Sequence, residues 1–195
     1  MIELRHLSKR FDEKPVLDDF SHDLAEGVTT CIMGPSGCGK TTLLQIMAGF
    51  LPADGGSVRG LERQRLSFVW QENRLLPWRR ALENITLCRV EADRARHYLE
   101  AVGLAAEADK LPGELSGGMA RRLAIARALA YGGDCYFLDE PLQGLDAATR
   151  AKMIDLLKDE LRGKTAFVVT HDRGEAELLG DRILTAQGLP FRVAE

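Results

Sequence analysis

A glycine-rich segment at residues 34–41 lies between a short apolar run and a stretch with helical periodicity. The run before it, residues 29–33, is rich in β-formers and short enough for a buried strand. After it, residues 40–48 repeat apolar side chains four positions apart, which is typical of a helix. The segment therefore predicts a strand, a tight turn and a helix in immediate succession, a unit that belongs in an α/β fold.

Residues 34–41 read Gly-Pro-Ser-Gly-Cys-Gly-Lys-Thr and match the pattern G-x-x-x-x-G-K-[ST] of phosphate-binding loops. Glycines let the backbone bend so that successive N–H groups point at one phosphate, and the helix that follows adds its positive N-terminus. Lys40 is placed to reach the β- and γ-phosphates, and the Thr41 hydroxyl to bind Mg²⁺. The residues expected to contact a nucleotide here are Gly34, Pro35, Ser36, Gly37, Cys38, Gly39, Lys40, Thr41 and Thr42.

Two later apolar runs, residues 135–138 and 166–169, share the short, β-rich character of residues 29–33. Between them, residues 147–161 predict a helix that is capped by Asp146. Strands that alternate with helices in this way are typical of a mostly parallel sheet. We therefore expect an α/β core in which these strands lie side by side.

Other parts of the chain have a different pattern. Residues 2–7 and 58–69 hold short, mixed strand-like segments without helices between them, and we expect these to form an antiparallel layer. The stretch from about 72 to 110 is helix-rich, and Gly103 is placed to end one of its helices. One face of that helix is formed by Ala95, Tyr98, Leu99 and Val102.

Two acids, Asp139 and Glu140, follow directly on the predicted strand at residues 135–138. In a parallel sheet, ligands bind at the carboxyl ends of the strands. Asp139 is therefore placed to hold Mg²⁺ through water, and Glu140 to orient or deprotonate an attacking water. The alternative is a solvated turn that only ends the strand, and the phosphate loop upstream favours the catalytic interpretation.

The composition disfavours several classes of protein. Lys and Arg number 26 and Asp and Glu 29, a net charge of −3, whereas a general nucleic-acid binder usually carries a basic excess. No apolar run approaches the ~18 residues of a membrane helix, and the N-terminus lacks the apolar core of a signal peptide. The four cysteines form no CxxC pair, which fits a reducing cytosol. We expect one cytosolic domain that does not bind nucleic acid.

The motif Leu-Ser-Gly-Gly at residues 115–118 has no use in a generic phosphate-loop kinase, and with it the chain resembles the ABC transporter ATPase family over essentially its full length. The matching pieces stand in the family's order. They are Phe11 for the aromatic that stacks on adenine, the loop at 34–41, Gln71 for the Q-loop, the motif at 115–118, Asp139-Glu140, Gly144-Leu145-Asp146 for the D-loop and His171 for the switch histidine.

The resemblance implies a P-loop NTPase (RecA-like) fold: a mostly parallel sheet with an N-terminal antiparallel β layer and an inserted α-helical subdomain. One domain would span residues 1–195, with the ATP-binding core at about 1–71 and 131–195 and the helical subdomain at about 72–130. The implied activity is ATP hydrolysis coupled to transport, with ATP and Mg²⁺ bound. The family's catalytic roles fall on Lys40, Gln71, Glu140 and His171, and its metal ligands on Thr41, Gln71 and Asp139.

The 115–118 motif also implies a dimer. Ser116 is a typical N-cap for a helix that runs to about residue 130, and Gly117 and Gly118 leave backbone N–H groups uncovered at its start. In the family, this motif covers the ATP that is bound to the phosphate loop of a second copy, in a head-to-tail homodimer. The arrangement is isologous, as two-fold symmetry requires.

Residues 71–78, Gln-Glu-Asn-Arg-Leu-Leu-Pro-Trp, resemble the importers of the nitrate, sulfonate and taurine group. The family docks a short helix of its transmembrane permease just beyond the Q-loop, so we hypothesise that Leu75, Leu76 and Trp78 shape that groove. Packing in the core of the helical region is an equal alternative for these three side chains. The resemblance further implies an extracellular solute-binding protein in the same system, and a peripheral place on the inner face of the cell membrane.

Two other functions within the same family stay open as alternatives. One is a soluble ABC ATPase that is not engaged in transport, although such proteins usually have a long coiled coil or two cassettes. The other is a subunit impaired in hydrolysis, since Met119 and the Gln143-Gly144 pair depart from the family's commonest sequences. A nucleotide or shikimate-type kinase is disfavoured, because residues 115–118 and His171 would then be coincidental.

Overall fold

In residues 1–193, the part of the chain that the computed structural model describes, two sheets and six α-helices form the fold. The strands are β1 (Ile2–Phe11), β2 (Lys14–Leu24), β3 (Thr29–Met33), β4 (Gly55–Arg59), β5 (Leu66–Val69), β6 (Cys135–Asp139), β7 (Thr165–Thr170), β8 (Arg182–Gln187) and β9 (Arg192–Val193). The helices are α1 (Lys40–Met47), α2 (Ala81–Thr86), α3 (Ala92–Ala101), α4 (Gly117–Tyr131), α5 (Ala147–Leu161) and α6 (Arg173–Leu179). Positions 194 and 195, the end of the core expected at 131–195, lie outside the described residues.

The larger sheet has the strand order β5-β6-β7-β3-β8-β9, and all of its pairs are parallel except β8 with β9. Every residue of β6 and β7 is buried, because both faces of the sheet are covered. The predicted strands at 29–33, 135–138 and 166–169 are confirmed as neighbours in this sheet. The predicted parallel core is therefore correct.

The smaller sheet is antiparallel, with the order β2-β1-β4. Residues 58–69 are all predicted to belong to this layer, and the prediction is wrong for the second half of that range. Only the end of β4 belongs there, whereas β5 pairs in parallel with β6, with Phe68 opposite Phe137. The two rings stack with their centroids 5.3 Å apart, so β5 covers an aromatic core position that a surface hairpin would leave open. Strand β2 had no counterpart in the sequence analysis.

Two apolar clusters lie on opposite faces of the larger sheet. Successive residues of β3 show the division, since Cys31 belongs to the cluster that contains residues of α3, α4 and α5, and Ile32 to the cluster that contains residues of α1 and the smaller sheet. A strand places alternate side chains on opposite faces, so one short strand anchors both clusters. The phosphate loop begins directly after β3 and is therefore held by a strand whose first four residues are buried.

Helices α2, α3 and α4 pack together beside the carboxyl end of β5. The predicted apolar face of α3 is confirmed, because Ala95, Tyr98, Leu99 and Val102 are all buried. The Tyr98 hydroxyl donates to the Glu160 carboxylate of α5 over 2.9 Å, and burial raises the pKa of Tyr98 to about 12. Among the described helices, none is both long and apolar enough to span a lipid bilayer.

Candidate functional site

The site forms where β3, β6 and β7 end at one edge of the larger sheet. Met33 lies opposite Thr170, and Asp139 lies opposite Val169. Because the three strands are parallel, the segments that follow them emerge at the same edge. The phosphate loop, Glu140 and His171 are therefore brought together from three distant parts of the sequence.

Glycines at both ends of the loop are required by their surroundings. Gly34 has a φ of +155°, and a Cβ on it would lie 2.7 Å from the carbonyl oxygen of Ala186. Gly39 has a φ of +100°, and a Cβ there would lie 2.8 Å from Cγ1 of Val16. Both positions combine a left-handed backbone with close neighbours, so no other residue fits without displacing them. Cys38, between these glycines, is buried beneath the loop.

The ammonium group of Lys40 lies inside the loop. Its Nζ donates to the carbonyl oxygens of Gly34, at 2.7 Å, and Pro35, at 2.8 Å, and only 6% of the residue is exposed. These contacts hold a positive charge at the centre of a ring of backbone. The charge is thereby oriented toward any phosphate that enters the loop.

The first turn of α1 supplies backbone donors to the same place. The first N–H of this helix with a backbone acceptor is that of Leu43, which donates to Gly39 over 2.9 Å. The N–H groups of residues 40–42 have no intrahelical acceptor, as at any helix start. Together with the positive end of the helix dipole, they fit a phosphate group.

The Thr41 hydroxyl donates to the Asp139 carboxylate over 2.8 Å, which joins the loop to the end of β6. Burial raises the pKa of Asp139, although the bond from Thr41 and the charges of Arg121 and Lys40 oppose the shift. Hydroxyl and carboxylate oxygens are the ligands that Mg²⁺ prefers. Within residues 1–193, no group of three His, Cys, Asp or Glu residues is suited to a metal, so a magnesium ion here would need other ligands besides carboxylates, such as the Gln71 amide, phosphates and water.

Glu140 and His171 contact each other beside this pair. The distance from Nδ1 of His171 to Oε2 of Glu140 is 3.0 Å. Glu140 has a φ of +48°, a left-handed conformation that is unusual for a residue other than glycine, and its N–H donates to the Val169 carbonyl over 2.9 Å. Backbone strain of this kind persists only where the surrounding structure enforces it, and here it turns the carboxylate toward the phosphate loop.

A cleft of about 230 Å³ is lined by Lys40, Thr41 and Glu140, whereas His171 lines an adjacent hollow that shares Glu140 with the cleft. Phe11, at the end of β1, lies at its mouth with 47% of its surface exposed, and Gln71 lies on its wall after β5. Its lining comprises Phe11, Val16, Ser36, Gly37, Gly39, Lys40, Thr41, Thr42, Gln71, Glu140 and Val169. Of these, only Val16 and Val169 were not predicted from the sequence.

The Leu-Ser-Gly-Gly motif does not line this cleft. The Ser116 hydroxyl accepts from the Met119 N–H over 3.2 Å, so the predicted N-cap of α4 is confirmed. Gly117 and Gly118 form the first positions of that helix, and Gly118 lies beside the Gly144 carbonyl of the next loop. The donors at this helix start therefore lie outside the cleft of the chain's own phosphate loop.

Arg121, on α4, was missed by the sequence analysis. It is 3% exposed, and its guanidinium donates to the Asp139 carbonyl over 2.7 Å and to the Pro141 carbonyl over 2.9 Å. Burial lowers the pKa of Arg121, and the Asp139 and Glu140 carboxylates oppose that shift. The only signal in the sequence was a charged residue that interrupts the apolar pattern of a helix.

The predicted docking segment divides into two parts. Leu75 is partly buried and packs against the cluster that contains α3 and α4, whereas Trp78 is 70% exposed. The N–H of Leu76 donates to Oδ1 of Asn84 over 2.8 Å, which fixes the backbone between them. Core packing therefore accounts for Leu75, Leu76 is half-buried, and Trp78 is the exposed member of these three side chains.

The model of the family described as ABC transporter matches residues 17–143 of this chain. The aliphatic sulfonates import ATP-binding protein SsuB of Cupriavidus necator is 42% identical over 196 residues, which cover 94% of this chain and 65% of that protein. SsuB 2 of Burkholderia cenocepacia is 41% identical over 206 residues, which cover 99% of this chain and 76% of that protein. The chain is therefore shorter than both relatives.

Solved structures give the same result. The dimeric structure of a bacterial ABC transporter cassette matches with a TM-score of 0.87 and 32% identity, covering 95% of this chain and 94% of that chain. A post-hydrolysis state of the same cassette, bound to ADP and Pi, matches with a TM-score of 0.86. These likenesses confirm the predicted P-loop NTPase fold. Because the family model covers more than half of the sequence and the relatives match nearly all of it, the chain belongs to the ABC transporter family.

Proposed function

We propose that this chain is the ATP-hydrolysing subunit of an ABC importer. The observation that carries the proposal is a cleft lined by Lys40, Thr41 and Glu140, with Asp139 hydrogen-bonded to Thr41 and His171 in contact with Glu140. Phosphate binding, metal binding and activation of water are the three requirements of phosphoryl transfer to water. The family membership and the post-hydrolysis structure of the similar cassette support the same reaction.

Each group has a defined part in the proposed mechanism. Lys40 and the N–H groups at the start of α1 bind the β- and γ-phosphates and neutralise their charge. A magnesium ion held by Thr41, Asp139 and Gln71 would supply further charge neutralisation. Glu140 orients a water molecule toward the γ-phosphate, and His171 holds the Glu140 carboxylate in place and reaches the γ-phosphate. Phe11 stacks on the adenine ring at the mouth of the cleft.

A second copy of the chain completes the site in this proposal. Ser116, Gly117 and Gly118 lie outside the chain's own cleft, so they bind the γ-phosphate that is held by the other copy. Two ATP molecules are then enclosed between two chains in a head-to-tail arrangement. The dimeric structure of the similar cassette supports this assembly. Residues 72–130 act as a helical subdomain that carries this motif.

We propose that the function of the dimer is to drive solute import. Closure on ATP and reopening after hydrolysis tilt two transmembrane permease subunits, and an extracellular binding protein delivers the solute. The chain itself lies on the cytoplasmic face of the membrane. The names of the two relatives, both for aliphatic sulfonate import, support an organic sulfonate as the solute.

Phosphate release from ATP by the purified chain tests the catalytic part. We expect magnesium-dependent release that falls by about 100-fold or more in Lys40→Ala, since a preorganised charge at the phosphate is lost. Lys152→Ala is the matched control, because Lys152 is exposed on α5 and remote from the cleft. Release that is absent in the native chain, or unchanged in Lys40→Ala, would exclude the proposed site and favour a subunit impaired in hydrolysis.

Affinity capture of the tagged chain from gently solubilised membranes tests the transport part. Recovery of a polytopic membrane protein, identified by mass spectrometry, is the expected result. Recovery of soluble or nucleic-acid-associated proteins alone would leave the ATPase intact and contradict the role in transport. A co-purifying extracellular binding protein would identify the class of solute by its ligand.

A further inference from the structure

Arg121 occupies an unusual position for a charged side chain. It lies in the first turns of α4, close to the Ser116 cap, and is almost completely buried. Arginine carries five N–H donors in a rigid, planar fork and cannot lose its charge at neutral pH. A buried guanidinium is tolerated only when its donors are satisfied, so the identity of its acceptors shows what it organises.

The acceptors of Arg121 fall on two loops of the nucleotide cleft. In the loop after β5, they are the carbonyl oxygens of Trp70 and of Gln71, the latter at 3.2 Å, with Oδ1 of Asn73 also at 3.2 Å. At the end of β6 and in the loop that follows it, they are the carbonyls of Asp139 at 2.7 Å, Glu140, and Pro141 at 2.9 Å. One side chain therefore joins the backbone of the proposed metal ligand Gln71 to that of the proposed catalytic residue Glu140.

Within residues 1–193, none of the hydrogen bonds that Arg121 makes ends on a carboxylate. Almost all of them end on backbone carbonyls, so the guanidinium fixes the path of the two loops and leaves the Asp139 and Glu140 carboxylates directed toward the cleft. The left-handed backbone of Glu140 is held partly by this contact with its own carbonyl. Loss of the Arg121 guanidinium would leave buried carbonyl oxygens without a donor, and the Glu140 backbone could relax from its left-handed conformation.

We propose that Arg121 is a positioning residue. It holds the Gln71 loop and the Glu140 loop at fixed positions relative to each other and to α4, the helix that Ser116 caps. This inference rests on the proposed function, since it concerns the geometry of ATP hydrolysis. In the head-to-tail dimer, the start of α4 contacts the partner's nucleotide, while Gln71 and Glu140 contact the chain's own. Arg121 therefore links the two nucleotide sites through one rigid side chain.

The neighbouring Arg122 offers a matched control. It lies on the same helix, and its guanidinium also donates to backbone carbonyls, those of Val102 at 2.6 Å and Gly103 at 3.2 Å. These acceptors lie at the end of α3 and belong to neither cleft loop. Arg122→Met thus removes hydrogen bonds of the same kind from the same helix, two where Arg121 makes six, without disturbing the loops of Gln71 and Glu140.

The experiment compares Arg121→Met, Arg121→Lys and Arg122→Met by three measurements: urea unfolding, equilibrium binding of ATP with magnesium, and steady-state phosphate release. We expect kcat to fall about 10- to 100-fold in Arg121→Met, because small displacements of catalytic groups cost this much. The dissociation constant for ATP should change by less than about threefold, since the Lys40 loop is untouched. Arg121→Lys keeps the charge and the stem, so it should fold and recover part of kcat. Arg122→Met should lose stability but keep kcat within about threefold.

Hydrogen exchange supplies a readout that does not depend on activity. Amides in residues 70–73 and 139–143 should exchange faster in Arg121→Lys than in the native chain, and remain protected in Arg122→Met. Equal loss of kcat in the Arg121 and Arg122 variants, or unchanged protection of both loops in Arg121→Lys, would overturn the inference. If the native chain itself releases no phosphate, the proposed function fails. If it is active and Arg121→Met is equally active, only the present inference fails.

Discussion

The hydroxyl of Thr41 donates to the carboxylate of Asp139 over 2.8 Å, between residues that are 98 positions apart in the sequence. Thr41 lies in the first turn of α1, which follows β3 through the phosphate loop, and Asp139 is the last residue of β6, so two strands of the larger sheet set their separation. The pair presents two oxygen ligands side by side. Burial raises the pKa of Asp139, which shows that the folded protein carries this charge at a cost.

The first prediction concerns the stability that the fold loses by burying the charged Asp139 carboxylate. A raised pKa means that the folded chain binds a proton on Asp139 more tightly than the unfolded chain does. The free energy of unfolding therefore falls as the pH rises from the ordinary carboxyl value of 3.8 through the raised value. We expect Asp139→Asn to unfold at a higher urea concentration than the native chain at pH 7, and this advantage to shrink as the pH approaches 4. Magnesium-dependent hydrolysis should be lost in the same variant.

Asp155→Asn is the control for this prediction, because Asp155 is exposed on α5 and its replacement changes the net charge equally. Urea midpoints measured from pH 4 to pH 8 provide the comparison. If Asp139→Asn is less stable than the native chain at pH 7, the hydrogen bond from Thr41 and the nearby positive charges stabilise the Asp139 carboxylate by more than its burial destabilises it.

The second prediction separates binding of ATP from its hydrolysis. Glu140→Gln keeps the volume of the side chain and its contact with Nδ1 of His171, but removes the charge that activates water. Phosphate release should fall by about 100- to 10,000-fold, the range for loss of a general base, while the affinity for ATP is retained. Glu177→Gln, an exposed position on α6, should leave the rate unchanged. Normal turnover by Glu140→Gln would remove this carboxylate from the mechanism.

The third prediction uses the 3.0 Å contact between His171 and Glu140. When two residues act as a unit in catalysis, removing either one slows the reaction nearly as much as removing both. We expect His171→Ala to slow phosphate release by roughly 100-fold, and the double variant with Glu140→Gln to be no slower than Glu140→Gln alone. Steady-state rates of the four proteins, measured at saturating ATP, make the comparison. Effects that multiply in the double variant would show that the two side chains act independently.

The motifs of the cleft were predictable because their physics is local. The left-handed backbone of Gly39, the helix that begins at Lys40 and the caps of Ser116 and Asp146 all depend on neighbouring residues in the sequence. Such features combine spacing with residue type, and short-range patterns carry both. The strand that precedes Asp139 was likewise marked by its apolar run alone.

What the sequence did not predict depends on distant partners. Strand β5 joins the larger sheet through its pairing with β6, and nothing within its own residues distinguishes this from the antiparallel layer. Arg121 donates to Trp70, 51 positions away, and to Asp139, 18 positions away, so its role appears only once the fold brings those carbonyls together. Tertiary contacts decided both cases against the local pattern.

The fourth prediction tests the head-to-tail dimer. A Cβ on Gly117 would meet nothing within 4 Å in the folded chain, so Gly117→Val should change the free energy of unfolding by less than about 0.5 kcal/mol. In the proposed dimer that space holds the partner's γ-phosphate. We therefore expect the Glu140→Gln protein to dimerise with ATP in size-exclusion chromatography, and the variant that also carries Gly117→Val to remain monomeric. Gly113→Val is the control, since its Cβ also meets nothing within 4 Å and lies outside the motif. Equal dimerisation of both double variants would exclude this helix start from the interface.

The last prediction divides the docking segment between its two functions. Leu75→Ala should lower the free energy of unfolding by about 1 to 2 kcal/mol, less than for a fully buried leucine, because Leu75 packs only partly against the core. Trp78→Ala should change it by less than about 0.5 kcal/mol, because the side chain is exposed. If Trp78 contacts the permease, its loss should reduce recovery of the membrane subunit in affinity capture, while ATP binding by the purified chain is retained. A Trp78→Ala protein that is destabilised but still captures its membrane partner would assign this tryptophan to folding, and the docking surface would then have to lie elsewhere on the helical region.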